Sequence, residues 1–170
     1  MAADELGASA QDPRTAWPDM LAQSALPYWA TTYFLDVQSN WVYDVPALVA
    51  QVAALHPTVV AIEVGSYEAA NGVPSWQFSQ SVGQLLSDLG PLHARIFIGN
   101  LPAILGPSTV LSQYDADIAA AAKASGAVLV NASAAIARSR GRVIADGILT
   151  PVGQQVIASA FAFAVRRNSA

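Results

Sequence analysis

Residues 146–153 read Asp146-Gly147-Ile148-Leu149-Thr150-Pro151-Val152-Gly153, and the apolar segment Gln154–Val165 follows them. The stretch predicts a loop over Ala145–Thr150 and a last helix that begins at Pro151 or Val152 and runs to about Arg166. Proline suits a first helical turn, where its missing N–H has no partner to lose. Arg166 and Arg167 then stand at the negative end of the helix, where cations are stabilised.

Upstream of this helix the chain alternates apolar runs with helical stripes. Thr58–Val64, Arg95–Gly99 and Ala127–Asn131 are nearly continuous apolar runs, as expected of strands covered on both faces, and Thr31–Val37 is a weaker fourth. Val45, Leu48, Val49, Val52 and Leu55 keep helical spacing, with Asp44 as the cap and Pro46 in the first turn. Phe78, Val82, Leu85, Leu86 and Leu89 form a second stripe, opened by Ser75 and closed by Gly90. Leu111, Tyr114, Ile118 and Ala122 form a third, closed by Gly126. Strands alternating with helices imply βαβ units and a parallel sheet with helices on both sides. Ligands of such sheets sit beyond the carboxyl ends of the strands. Function is therefore expected in the loops near residues 7–13, 38–43, 65–74, 100–107, 132–142 and 145–150.

Composition narrows the classes. The 170 residues suffice for one domain, 1–170, with a real core, and 54% apolar against 12% charged residues excludes disorder. Eight basic and twelve acidic residues give a net charge of −4 with no basic stripe, which disfavours nucleic acid and anionic membranes as partners. The absence of cysteine removes disulfides, thiolate zinc sites and a cysteine nucleophile. No apolar run reaches the roughly 18–20 residues of a transmembrane segment. The start, Met1–Glu5, has neither the basic flank nor the apolar run of a signal peptide. A cytoplasmic chain and an exported mature chain both fit. No phosphate loop, dinucleotide fingerprint or metal-ligand spacing is present, so no cofactor and no metal are expected.

Four segments resemble, in order, the blocks of the SGNH (GDSL-type) serine hydrolases. Leu6-Gly7-Ala8-Ser9 resembles the Gly-Asp-Ser turn after the first strand, with Ala8 in place of the aspartate. The resemblance makes Ser9 the nucleophile. Ser39-Asn40 falls where the family has a glycine whose N–H binds the oxyanion. Val64-Gly65-Ser66-Tyr67-Glu68 resembles the strand and loop bearing Gly-x-Asn-Asp, with Tyr67 replacing the donor asparagine and Glu68 the aspartate. Asn71 supplies a replacement donor only if its loop folds back. In the last block Asp146 takes the place of the acid that orients the catalytic histidine, but the histidine position holds Leu149. A leucine cannot accept a proton from a serine hydroxyl. Met1–Leu6 leaves little room for a central first strand, so that strand is short or its natural beginning is missing.

The fold implied is a three-layer α/β/α sandwich with a parallel sheet of about five strands. Three functional readings stay open. One is a hydrolase-like protein that has lost its chemistry and binds an acyl-ester or glycan ligand in the old pocket. Another is an active esterase of small acyl esters, using Ser9, Asp146 and Glu68 as an unconventional base. The last is a structural or interaction domain with a filled pocket.

The remaining chemical groups are read more plainly. His56 and His93 precede strands, at the edge opposite the expected pocket. Glu63 lies inside an apolar strand, where a charge needs a partner or water, and pairing with Arg95 or exposure at a sheet edge is expected. Trp41, Tyr43, Tyr67 and Trp76 gather near the expected mouth, where plugging of the pocket is favoured over stacking on a ligand.

Overall fold

The apolar runs pair as the alternation requires. The computed structural model describes residues 2–3, 16–25, 35–36, 46–101, 108–140, 143–145 and 148–168. In chain order the elements are β1 (Ala2–Ala3), α1 (Trp17–Ala25), β2 (Leu35–Asp36), α2 (Pro46–Ala54), β3 (Val59–Glu63), α3 (Ser66–Ala70) and α4 (Ser75–Leu89). They continue with β4 (Arg95–Gly99), α5 (Ser108–Ser125), β5 (Val128–Val130), α6 (Ala132–Arg138), β6 (Ile144–Ala145), β7 (Ile148–Leu149) and α7 (Pro151–Asn168). The first five strands form one parallel sheet in the order β2-β1-β3-β4-β5. β6 and β7 form a separate antiparallel hairpin.

The period of two along the strands divides the core into two layers. Val60, Ile62, Val64, Ile96 and Ile98 face α4 and α5, where they meet Phe78, Leu85, Tyr114 and Ile118. Ala61, Phe97 and Val130 face the other way, onto Trp17, Ile157 and Phe161 of α1 and α7. Phe78 stacks on Tyr114 at 4.1 Å between ring centroids, and Trp17 stacks on Phe161 at 4.6 Å. Gly99 brings β4 against α7: an added Cβ would stand 3.0 Å from the Phe161 ring. Helices thus cover both faces, which is the expected three-layer sandwich. Among the described residues no helix is long and apolar enough to cross a membrane.

Several local expectations need correction. Gly90 does not close α4 by a left-handed turn. It is right-handed (φ −53, ψ −44) and leads into a 3₁₀ turn over Gly90–Leu92, and the chain reverses at His93 with φ 54. Pro91 follows Gly90 and supports the tighter turn, since proline has no N–H to lose. Gly126, by contrast, has φ 76 and closes α5 as expected. Glu63 meets neither expectation. It is fully buried in the sheet interior, opposite Ala3 and Gly99, whereas Arg95 stands opposite Val59 at the far end of the strand and is exposed. Segments expected as loops contain α3, α6 and the β6–β7 hairpin. Of Thr31–Val37, Leu35–Asp36 is strand, and the rest lies outside the described residues.

Candidate functional site

The carboxyl ends of β3, β4 and β5 share one edge of the sheet. After β3, Gly65 has φ 107, a conformation that side chains rarely adopt, and an added Cβ would lie 2.8 Å from the Phe78 ring. Glycine is therefore required to swing the chain into α3. Ser66 is buried there and Tyr67 is half-buried. Glu68 is buried, 1% exposed, and its charge acts on Tyr114 of α5. Its charge contributes to holding the Tyr114 hydroxyl up at about 12, after burial and ahead of Asp117. That hydroxyl donates to the Val73 carbonyl at 2.6 Å, tying α5 to the loop before α4.

Asn71 is exposed, and its side-chain amide donates to the Tyr67 carbonyl at 2.8 Å. That donor is used at the C-terminus of α3. Ser75, at the start of α4, donates to Asp117 at 2.7 Å, and the position before it is Pro74 with no side-chain cap. Trp76 is 70% exposed, so it plugs nothing.

A hairpin holds Leu149, the residue that the resemblance sets at the histidine position. Ile144 pairs with Leu149, and Ala145 pairs with Ile148. Leu149 is 4% exposed and belongs to the apolar cluster under α7. The next residue, Thr150, caps α7: its Oγ1 accepts from Gly153 N at 3.2 Å and its carbonyl accepts from Gln154 N at 2.9 Å. Thr150 N donates to the Val143 carbonyl at 3.0 Å, which locks the hairpin to the helix start. An added Cβ on Gly153 would strike that same carbonyl and come within 2.8 Å of Leu149 Cδ2. Gln154, itself buried, accepts from Trp17 N at 3.0 Å and so fixes α1 to α7.

One polar network escaped sequence reading. Asn100, buried just beyond β4, donates to Asp115 Oδ2 and to Asn131 Oδ1, each at 3.3 Å, and accepts from Ser133 N at 3.0 Å. Asp115 Oδ1 accepts from Leu101 N at 2.9 Å, and Asn131 Oδ1 accepts from Ala134 N as the cap of α6. Burial raises the Asp115 carboxyl above its ordinary value, opposed by the two hydrogen bonds from Leu101 and Asn100. The network ties β4, β5, α5 and α6 together at the carboxyl edge of the sheet. Asp115, Asn131 and Ser133 lie 15, 31 and 33 residues from Asn100, with no motif spacing to betray them.

Ser9, Ser39, Asn40, Asp44, Asp146, Trp41 and Tyr43 lie outside the described residues. Among the described candidates, Tyr67, Glu68 and Asn71 share the turn after β3, and Leu149 sits in the hairpin before α7. His56 and His93 are both exposed and precede β3 and β4, at the amino ends of those strands, as expected.

A scan against protein-family models and a search of curated proteins find no match. Solved structures do match. The structure of TesA superposes with a TM-score of 0.79 at 17% identity, covering 98% of this chain and 96% of that one. A lipolytic protein of the G-D-S-L family from Desulfitobacterium hafniense DCB-2 gives a TM-score of 0.78 at 16% identity, covering 96% of this chain and 97% of its own. Axe2, an acetylxylan esterase from Geobacillus stearothermophilus, gives 0.72 at 17% identity, covering 96% of this chain and 91% of that one. Together with the sheet order and the helices on both its faces, these likenesses show that the chain has the SGNH (GDSL-type) hydrolase fold.

Proposed function

We propose that this chain is a single-domain SGNH-fold protein in which the Ser-His-Asp hydrolysis typical of that fold is lost, and that the old pocket binds an acyl ester or an acylated glycan. The observation that carries the reading is Leu149. The residue at the histidine position is apolar, 4% exposed and packed in the core. A serine hydroxyl without a base is a weak nucleophile at neutral pH. The chain has two histidines, and both precede strands at the other end of the sheet. A strand of five residues such as β3 spans about 16 Å. An imidazole at its amino end is far beyond the roughly 3 Å that proton transfer requires.

Glu68 gives little support to an unconventional base, because it is buried and its charge acts on Tyr114 of α5. The exposure of Trp76 favours binding over a filled pocket, since an aromatic face at the carboxyl edge is left for a ligand. The ester class rests on the fold, and the acylated-glycan version on the likeness to an acetylxylan esterase. Hydrolysis of p-nitrophenyl acetate and butyrate tests the reading, with wild type measured beside Ser9→Ala and Leu149→His. No Ser9-dependent turnover in wild type is expected. Turnover that Ser9→Ala abolishes overturns the reading.

A further inference from the structure

Asn71-Gly72 is the one place in the chain where glycine follows asparagine; Asn40, Asn100, Asn131 and Asn168 precede Trp41, Leu101, Ala132 and Ser169. The pairing matters because the backbone nitrogen after an asparagine can close a five-membered ring onto the side-chain amide carbon. A side chain on the following residue crowds that closure, and glycine has none. Asn71 and Gly72 are both exposed, and a Cβ built on Gly72 would meet nothing within 4 Å. Water and base therefore reach the Gly72 nitrogen freely.

The fold sets how fast the ring can close. Asn71 has ψ 5, which turns the Gly72 nitrogen away from the Asn71 side chain. Gly72 N donates to the Ala69 carbonyl at 3.3 Å, and Asn71 Nδ2 donates to the Tyr67 carbonyl at 2.8 Å. Both bonds belong to the end of α3, a helix of five residues, where local opening costs little. The reaction is held back there but not prevented. Asn100 and Asn131 are better protected: Asn100 is buried in its network, and Ala132 after Asn131 is fully buried.

We propose that Asn71 is a site of spontaneous deamidation that rebuilds the turn after β3. Once the turn opens, the Gly72 nitrogen loses its proton and bonds to Asn71 Cγ. The Cγ–Nδ2 bond breaks and ammonia leaves. Water then opens the succinimide at either carbonyl, giving aspartate or isoaspartate at position 71. Either product sets a carboxylate in place of an amide donor at the negative end of α3, in a chain whose net charge is already −4. Isoaspartate also inserts a carbon into the main chain. Val73 is pinned, its N–H donating to the Glu68 carbonyl at 3.0 Å and its carbonyl accepting from Tyr114 at 2.6 Å, so the extra length falls on residues 71 and 72. The inference stands whether or not the chain hydrolyses esters.

Incubation of the purified chain at mildly alkaline pH, followed by peptide mapping, tests the proposal. The peptide holding Asn71 gains about 1 Da before any other asparagine peptide, with isoaspartate among the products. The rate rises as pH is raised from 7 towards 9. In urea it rises roughly ten- to a hundredfold, as the two hydrogen bonds are released. Asn71→Gln, which would need a six-membered ring, stays unmodified, and its exposed position leaves folding intact. In the deamidated fraction, separated by charge, the amides of residues 67–73 exchange hydrogen faster than in the fresh chain. Three results overturn the proposal: no mass gain in the native chain while the urea-unfolded chain deamidates, a gain that arises first at another asparagine, or aspartate formed without isoaspartate. Unchanged exchange at residues 67–73 overturns the rebuilt turn.

Discussion

Truncating Leu149 to alanine separates a core residue from a pocket-lining one. The side chain is 4% exposed and rests against Gly153, whose missing Cβ leaves nothing on α7 to move into the hole. The Val143 carbonyl beside Gly153 is held by Thr150 N, which pins the hairpin against the helix start. Buried leucines truncated in such unyielding sites cost about 3–4 kcal/mol, transfer and cavity together. A chain of this size loses about 2–4 °C per kcal/mol, so Tm falls by about 6–16 °C. With a urea m-value of about 2 kcal/mol/M, the unfolding midpoint drops by about 1.5–2 M at unchanged slope. Tryptophan fluorescence follows the transition, since Trp17 is fully buried in the same cluster. Val152→Ala, at a 48% exposed position three residues on, is the control and stays within about 0.5 kcal/mol. If Leu149→Ala moves the midpoint no more than Val152→Ala does, Leu149 is not a core residue and the argument for a lost site fails.

Gly153→Ala drives a methyl into the Val143 carbonyl, and a loss of about 1–3 kcal/mol is expected in the same urea assay. Asn100→Ala strips partners from Asp115, Asn131 and Ser133 at once, for a loss of about 2–3 kcal/mol, and an unchanged midpoint would refute the network. Tyr114 ionises near 10 when unfolded and near 12 when folded, so the native state holds its proton longer. Its contribution is complete below pH 10 and is lost as pH rises towards 12. Tyr114→Phe should therefore flatten the alkaline limb of a stability-against-pH curve. Asp115 is likewise raised when folded, so its ionisation opposes folding and wild type should gain on Asp115→Asn as pH falls from 7 towards 4. A constant difference between the two would contradict this.

The sheet and its main helices were legible because burial on both faces writes itself as continuous apolar runs. Arg95–Gly99 is the observed β4 to the residue, and Phe78–Leu89 is the buried stripe of α4. The short elements were not. α3 has five residues and α6 seven, too few to display a helical period, and α6 reads Ala-Ser-Ala-Ala-Ile-Ala-Arg with one large apolar side chain. Gly90 misled because glycine at a helix end suggests a left-handed cap, while Pro91 beside it favours a right-handed 3₁₀ turn. At the site, Leu149 was legible as a change of residue type, but its burial depends on Gly153 and Val143 and needed the hairpin. The Asn100–Asp115 network was illegible for a different reason: its partners come from separate strands and helices, and only the sheet order brings them together.

Reaction with a fluorophosphonate ester, read by intact mass, tests the loss of hydrolysis most directly. Such reagents phosphonylate a serine only when a neighbouring base activates it. The expected result is an unmodified chain after prolonged exposure at neutral pH. A stoichiometric adduct that disappears in Ser9→Ala would mean that Ser9 is activated after all, and would contradict the reading of Leu149 as the end of catalysis.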